Sequence, residues 1–166
     1  LPGRDVLGRV VTSIGGRVYP PRGARLDALW GAVADGQPDI HRTLAGCVIA
    51  SRADGVLIVR REHAAVAGPT GVADGNVAWD SRYEISIADG GCAELTVDAL
   101  GRAPAHKVRE VALPRILALP ADVRWALPGL FARGDLVAGP GFASNSRCFV
   151  RFAPRMPIAG AIFGGF

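Results

Sequence analysis

Nucleophilic catalysis needs a Ser or Cys with a base held beside it, and in this sequence His41 stands six positions before Cys47. Cys47 is flanked by Gly46 and Val48 in a run of strand character, so it reads as a core thiol, and hydrolysis through Cys47 and His41 is a weak third expectation. His63 leaves a hairpin and His106 sits beside Lys107 and near Arg109, settings that suit a solvated or phosphate-facing imidazole. Zinc sites want closely paired ligands, and no two of Cys47, Cys92, Cys148, His41, His63 and His106 lie within five positions of each other. Asp80 and Glu84 could pair for acid–base work, but Arg82 lies between them on what reads as a wet strand face. Gly15-Gly16, Gly90-Gly91 and Gly164-Gly165 do not lead from a buried strand into a helix, as phosphate-cradling loops do. The expectation is a chain with no catalytic residue, no metal and no cofactor of its own.

What remains is arginine. Of 19 basic residues all but Lys107 are Arg, against 15 acidic ones, for a formal net charge of +4. Arg presents a planar fork that grips phosphate with two donors at once. Arg17, Arg22 and Arg25 bracket a turn between two helices, Arg42 and Arg52 follow, and Arg60 and Arg61 end a hairpin. A shared face built from these seven would hold a sugar-phosphate backbone in a salt-dependent manner, with little reading of sequence. GC-rich codon usage is the competing source of the skew, and composition leaves both open.

The elements that must position these residues follow from periodicity. Val6, Leu7, Val10, Val11 and Ile14 form a helical stripe with Arg4, Asp5, Arg9 and Thr12 off it, closed by Gly15-Gly16. After Tyr19-Pro20-Pro21, Leu26, Leu29, Trp30 and Val33 repeat at helical spacing and stop at Gly36. Leu44–Ala50 and Val56–Arg61 are strand-length runs around the turn Ala53-Asp54-Gly55. The Ala-, Gly- and Pro-rich stretch 64–75 reads as a linker. Beyond it Val77, Trp79, Tyr83, Ile85 and Ile87 alternate with Asp80, Arg82, Glu84 and Ser86 as one strand, expected to pair with Leu95–Ala99 across Asp89-Gly90-Gly91. Pro120-Ala121-Asp122 opens a short helix through Trp125, and Leu136–Ala138 and Arg147–Phe152 close the chain around Gly139-Pro140-Gly141.

These elements predict an α+β fold in two parts. Residues 1–65 form a helix pair plus β-hairpin, and 76–166 a mostly antiparallel β subdomain with one or two short helices. The apolar share of 49% is that of a chain that buries a core, while 22 Gly and 12 Pro favour short elements joined by turns. An odd number of widely spaced cysteines, each among apolar neighbours, reads as reduced core thiols of a cytoplasmic protein. The uncharged run Met156–Phe166 is too short and Gly-rich to span a bilayer, so no membrane partner is expected. The chain opens at Leu1-Pro2-Gly3 without an initiator Met, as a piece of a longer protein would.

Three stretches carry a resemblance. They are the run Val10-Val11 to Arg22 with Gly15-Gly16-Arg17 and Tyr19-Pro20-Pro21-Arg22, then Leu26-x-x-Leu29-Trp30, then His41-Arg42-Thr43-Leu44-Ala45-Gly46-Cys47. With the hairpin Val48–Arg61, Trp79-Asp80-x-Arg82-Tyr83, Leu127-Pro128-Gly129-Leu130-Phe131 and Asp135 to Gly141, the order resembles the post-catalytic region of bacterial tRNA(Ile)-lysidine synthetases, the alphaproteobacterial type above all. The resemblance implies a parent ATP-dependent ligase that adenylates the wobble cytidine of a minor isoleucine tRNA and joins lysine to it. It places ATP and Mg in an N-terminal catalytic domain whose Ser-Gly-Gly-x-Asp-Ser loop this chain lacks. The implied partners are tRNA and that catalytic domain, with a homodimer also admitted, and the seven arginines are the expected tRNA contacts. The alternative is a non-enzymatic β-rich interaction module that does not bind RNA.

Overall fold

A computed structural model describes residues 3–72, 75–87, 95–139 and 148–158. Among these residues the chain forms five α-helices and ten strands in three antiparallel sheets, an α+β architecture. It divides into two compact units, one of residues 3–65 with 154–158 and the other of residues 66–153.

The N-terminal unit packs two helices on a three-stranded meander. Helix α1 (Arg4–Ile14) and helix α2 (Ala24–Ala34) meet through Leu7, Val11, Leu26, Leu29 and Ala32, and the sheet completes this core with Leu44, Cys47 and Ile49. The buried stripe of α1 is rotated from the one expected. Val6 is 45% exposed, while Thr12 is fully buried with its hydroxyl donating to the Gly8 carbonyl at 2.6 Å. A hydroxyl satisfied within its own helix can be buried at little cost, so Thr12 takes a core position that its polarity hid.

Strands β1 (His41–Leu44), β2 (Cys47–Ser51) and β3 (Leu57–Arg61) pair in sequence order. The β2–β3 hairpin is the expected one. The run Leu44–Ala50, however, is not a single strand, because Leu44 pairs with Cys47 across a two-residue turn. Ala45 and Gly46 both take positive φ, 52° and 80°, the backbone that tight hairpins require. No polar residue marks that turn in the sequence.

The C-terminal unit is layered. Strands β4 (Thr70–Val72), β7 (Leu95–Ala99), β8 (Pro128–Ala132) and β9 (Asp135–Ala138) form a four-stranded sheet in the order β4-β7-β8-β9. Strands β5 (Gly75–Trp79), β6 (Tyr83–Ile87) and β10 (Cys148–Phe152) form a three-stranded one in the order β10-β6-β5. Trp79, Tyr83, Ile85 and Ile87 of the smaller sheet pack on Val72, Leu95, Val97, Ala99, Leu130 and Ala138 of the larger. Helices α3 (Ala105–Val111) and α4 (Pro114–Leu117) form a second core around Leu100, Ala112, Ile116 and Leu136, while α5 (Ala121–Trp125) packs Trp125 against the first.

Four readings of this unit change. The stretch 64–75 holds strand β4 and the start of β5. The long strand Val77–Ile87 is a hairpin, turning at Asp80 and Ser81 with φ of 53° and 55°. Alternation could not reveal the turn, because Trp79 pairs directly with Tyr83, Val77 with Ile85 and Gly75 with Ile87. Cross-strand partners share a face, so the odd-numbered residues stay inward on both strands. Strand β7 pairs with β4 and β8 rather than with β6, and β9 and β10 close different sheets. The turns at 89–91 and 140–141, Cys92 and Arg147 lie outside the described residues.

The fourth change concerns charge. Asp80 and Arg82 do not face water: their side chains are 2% and 5% exposed, with Arg82 Nη2 2.6 Å from Asp80 Oδ2. Asp80 also accepts the Ala67 N–H at 3.0 Å, and Arg82 donates to the Ala126 carbonyl at 3.0 Å. The turn has carried this pair inward, where each partner offsets the other's lost hydration.

Candidate nucleic-acid interface

The fold first separates Cys47 from His41. Cys47 is fully buried, with its thiol donating to the Val11 carbonyl at 3.3 Å. Its cross-strand partner is Leu44, and His41 lies three positions earlier on β1, so imidazole and thiol project from opposite faces of the sheet. Among the described residues no group of three or more His, Cys, Asp and Glu could hold a metal ion.

The seven arginines separate into distinct settings. Arg25 stands in the first turn of α2 and Arg42 on edge strand β1, 17 positions later, yet both line one groove of about 390 Å³. Its floor is Ala28, Leu29 and Leu44, and both arginines are exposed. The register explains Arg42. It sits opposite Ile49 on the helix-facing side, but at the sheet edge, where it passes beyond the core and meets α2. Neither guanidinium has an acidic partner among the described residues.

Arg22 lines a neighbouring concavity of about 300 Å³ with Arg4, Asp5, Arg9, Pro20 and Pro21, three guanidinium groups against one carboxylate. Arg9 was not among the residues singled out from sequence, where it served only as the polar side of α1. Its signal was its spacing from Asp5 on that outer face. Arg22 and Arg25 flank the start of α2, whose first-turn N–H groups are themselves electropositive. Asp27 lies in that turn but is engaged by Arg4 at 2.6 Å. Positive charge therefore gathers where a helix least favours it, and an anion would relieve it.

The other four differ. Arg17 is exposed and reaches the Ala45 carbonyl at 3.5 Å, a long contact that leaves most of its fork in water. Arg52 pairs with Asp54 in the hairpin turn at 3.2 Å. Arg60 is half-buried opposite Val48, on the sheet face away from the helices. Arg61 is not a surface residue. It is 8% exposed and donates to the carbonyls of Gly15 at 2.6 Å, Gly46 at 3.3 Å and Ala65. It closes the helix–sheet junction, and its place beside Arg60 at a strand end gave no sign of that, since adjacent strand residues face opposite ways.

Compared with family models, curated proteins and solved structures, the chain matches none. No helix among the described residues is long and apolar enough to cross a membrane. The arrangement is suited to holding a polyanion over an extended surface, with Arg9, Arg22, Arg25 and Arg42 along the helix pair and edge strand.

Proposed function

We propose that the chain is the tRNA-recognising, post-catalytic part of a cytoplasmic tRNA(Ile)-lysidine synthetase, acting with a catalytic domain that carries ATP and Mg. The order of its short motifs supports the reading, and one observation carries it. Two helix and strand elements bring Arg25 and Arg42 into a single groove and leave both without an acidic partner. In this role the grooves hold successive phosphates of the tRNA body, and the anticodon is thereby presented to the separate active site.

The test is retention of a tRNA(Ile) transcript by the purified chain across a salt series. Each phosphate contact contributes about 0.9 to the slope of log affinity against log salt on B-form DNA and about 0.7 on single strands, so Arg25→Ala with Arg42→Ala should weaken binding and lower that slope by up to about 2. Unchanged affinity and slope would exclude the assignment.

The second reading, an interaction module without RNA binding, draws on strand β10. It is one of the two outer strands of its sheet, and Phe149 and Phe152 on it are 62% and 44% exposed. Self-association that is insensitive to salt, with no tRNA retained, would favour it.

A further inference from the structure

The helical layer of the C-terminal unit leaves part of the four-stranded sheet uncovered. There Thr96, Asp98, Arg102, Phe131, Arg133 and Gly134 line an open cavity of about 460 Å³. Pairing places Thr96 directly opposite Phe131, and Asp98, two residues along β7, shares their face. A half-buried aromatic ring, a hydroxyl and three charges thus meet in one concave site, within the size range of small-molecule sites, about 300–1,000 Å³.

The charges do not cancel. Asp98 is held by Arg102 at 3.0 Å and accepts the Ala99 N–H at 2.7 Å, both at Oδ1, so Arg102 already balances its charge while Oδ2 keeps its capacity to accept a hydrogen bond. Arg133 is exposed and has no carboxylate partner among the described residues. Its backbone makes it more unusual. Arg133 and Gly134 form the two-residue turn between Ala132 and Asp135, with φ of 50° and 88°. Such turns favour Asn, Asp or Gly at both positions, so the turn itself gives no reason for an Arg there.

We propose that this cavity binds a nucleotide, with its base stacked on Phe131, its phosphate held by Arg133, and Thr96 with Asp98 meeting the ribose or base edge. The ring supplies a face that accepts any base, and the guanidinium supplies the anion contact. The site is built wholly from residues of the C-terminal unit, and its occupancy does not depend on the tRNA reading.

Calorimetric titration of the full chain with 5′-AMP, and separately with a short unstructured RNA, tests it. Binding is expected, with amide shifts at Thr96, Arg102 and Arg133, and Arg133→Asn should weaken it about tenfold by removing the charge-assisted contact. Asn suits the turn, so the variant's Tm should hold or rise, separating lost binding from lost folding. Phe131→Leu should weaken binding by a similar factor, about tenfold, through lost stacking. RNA binding tighter than AMP, with the same losses, assigns the site to a nucleotide within a strand, and equal affinities assign it to a free nucleotide. Absence of binding to both, or binding unaltered in Arg133→Asn, overturns the proposal.

Discussion

Among the described residues each unit buries one arginine at a hairpin, and the two are held differently. Arg61 of the N-terminal unit spreads its donors over the carbonyls of Gly15, Gly46 and Ala65, joining the end of α1 to the β1–β2 turn and the residues after β3. Arg82 of the C-terminal unit meets the carboxylate of Asp80, two residues away, and the Ala126 carbonyl of the helical layer, while its guanidinium lies 5.0 Å from the Tyr83 ring centre. At Arg61 one cation joins three segments through neutral acceptors, whereas at Arg82 an ion pair within one turn reaches two others, through the Ala67 N–H and the Ala126 carbonyl. The surface arginines divide as well: Arg9, Arg22, Arg25 and Arg42 of the N-terminal unit line two concavities of about 300 and 390 Å³, and Arg102 and Arg133 of the C-terminal unit line one of about 460 Å³.

The largest effect should come from breaking the ion pair. Arg82→Met leaves the Asp80 carboxylate buried without its cation and should cost about 3–5 kcal/mol, read by urea denaturation of the chain. Adding Asp80→Asn should recover part of that loss, because the two sites are coupled. Stability of Arg82→Met within about 1 kcal/mol of the parent would show that water reaches the pair and that the contrast between the units is false.

A smaller loss is expected at the carbonyl cluster. Gly46 takes a φ of 80°, and a Cβ there would lie 2.5 Å from Arg61 Nη1. Gly46→Ala should cost about 2 kcal/mol, from left-handed backbone strain and displacement of Arg61. If the cluster is what the residue protects, Gly46→Ala combined with Arg61→Met should cost less than the two single losses together.

The smallest effect is a pH dependence confined to the C-terminal unit. Burial raises the Tyr83 phenol above its ordinary value of 10.0, partly countered by Arg82 and reinforced by Asp80. The unfolded chain therefore releases this proton first. Tyr83's contribution is fully present below pH 10 and is lost as pH rises through the folded value. Urea midpoints measured from pH 8 to 11 should fall less steeply in Tyr83→Phe, and identical slopes would remove Tyr83 from the account.

The helix pair and the β2–β3 hairpin were legible because their apolar spacing is helical in one place and strand-like in the other. Two hairpins were not. Ala45-Gly46 carries no polar turn residue, and the Asp80-Ser81 turn keeps the same residues inward on both sides, so an uninterrupted strand has the identical pattern. Sheet partnership was hidden for a different reason. β7 pairs with β8 across three intervening helices, and nothing local to either strand encodes that choice. At the candidate interface, Arg25 and Arg42 were named from sequence, but their convergence is a product of the α2–β1 packing. Arg61 lost its place because its neighbours in space come from residues 15, 46 and 65.

The central claim is that the N-terminal grooves hold tRNA phosphates. Its most direct test is the salt dependence of tRNA(Ile) retention by the parent chain beside Arg25→Ala with Arg42→Ala. The account predicts weaker binding at every salt concentration and a slope lower by up to about 2 in the double variant, with Tm unchanged. Equal affinity and equal slope in the two proteins, or no retention by the parent at low salt, would contradict it.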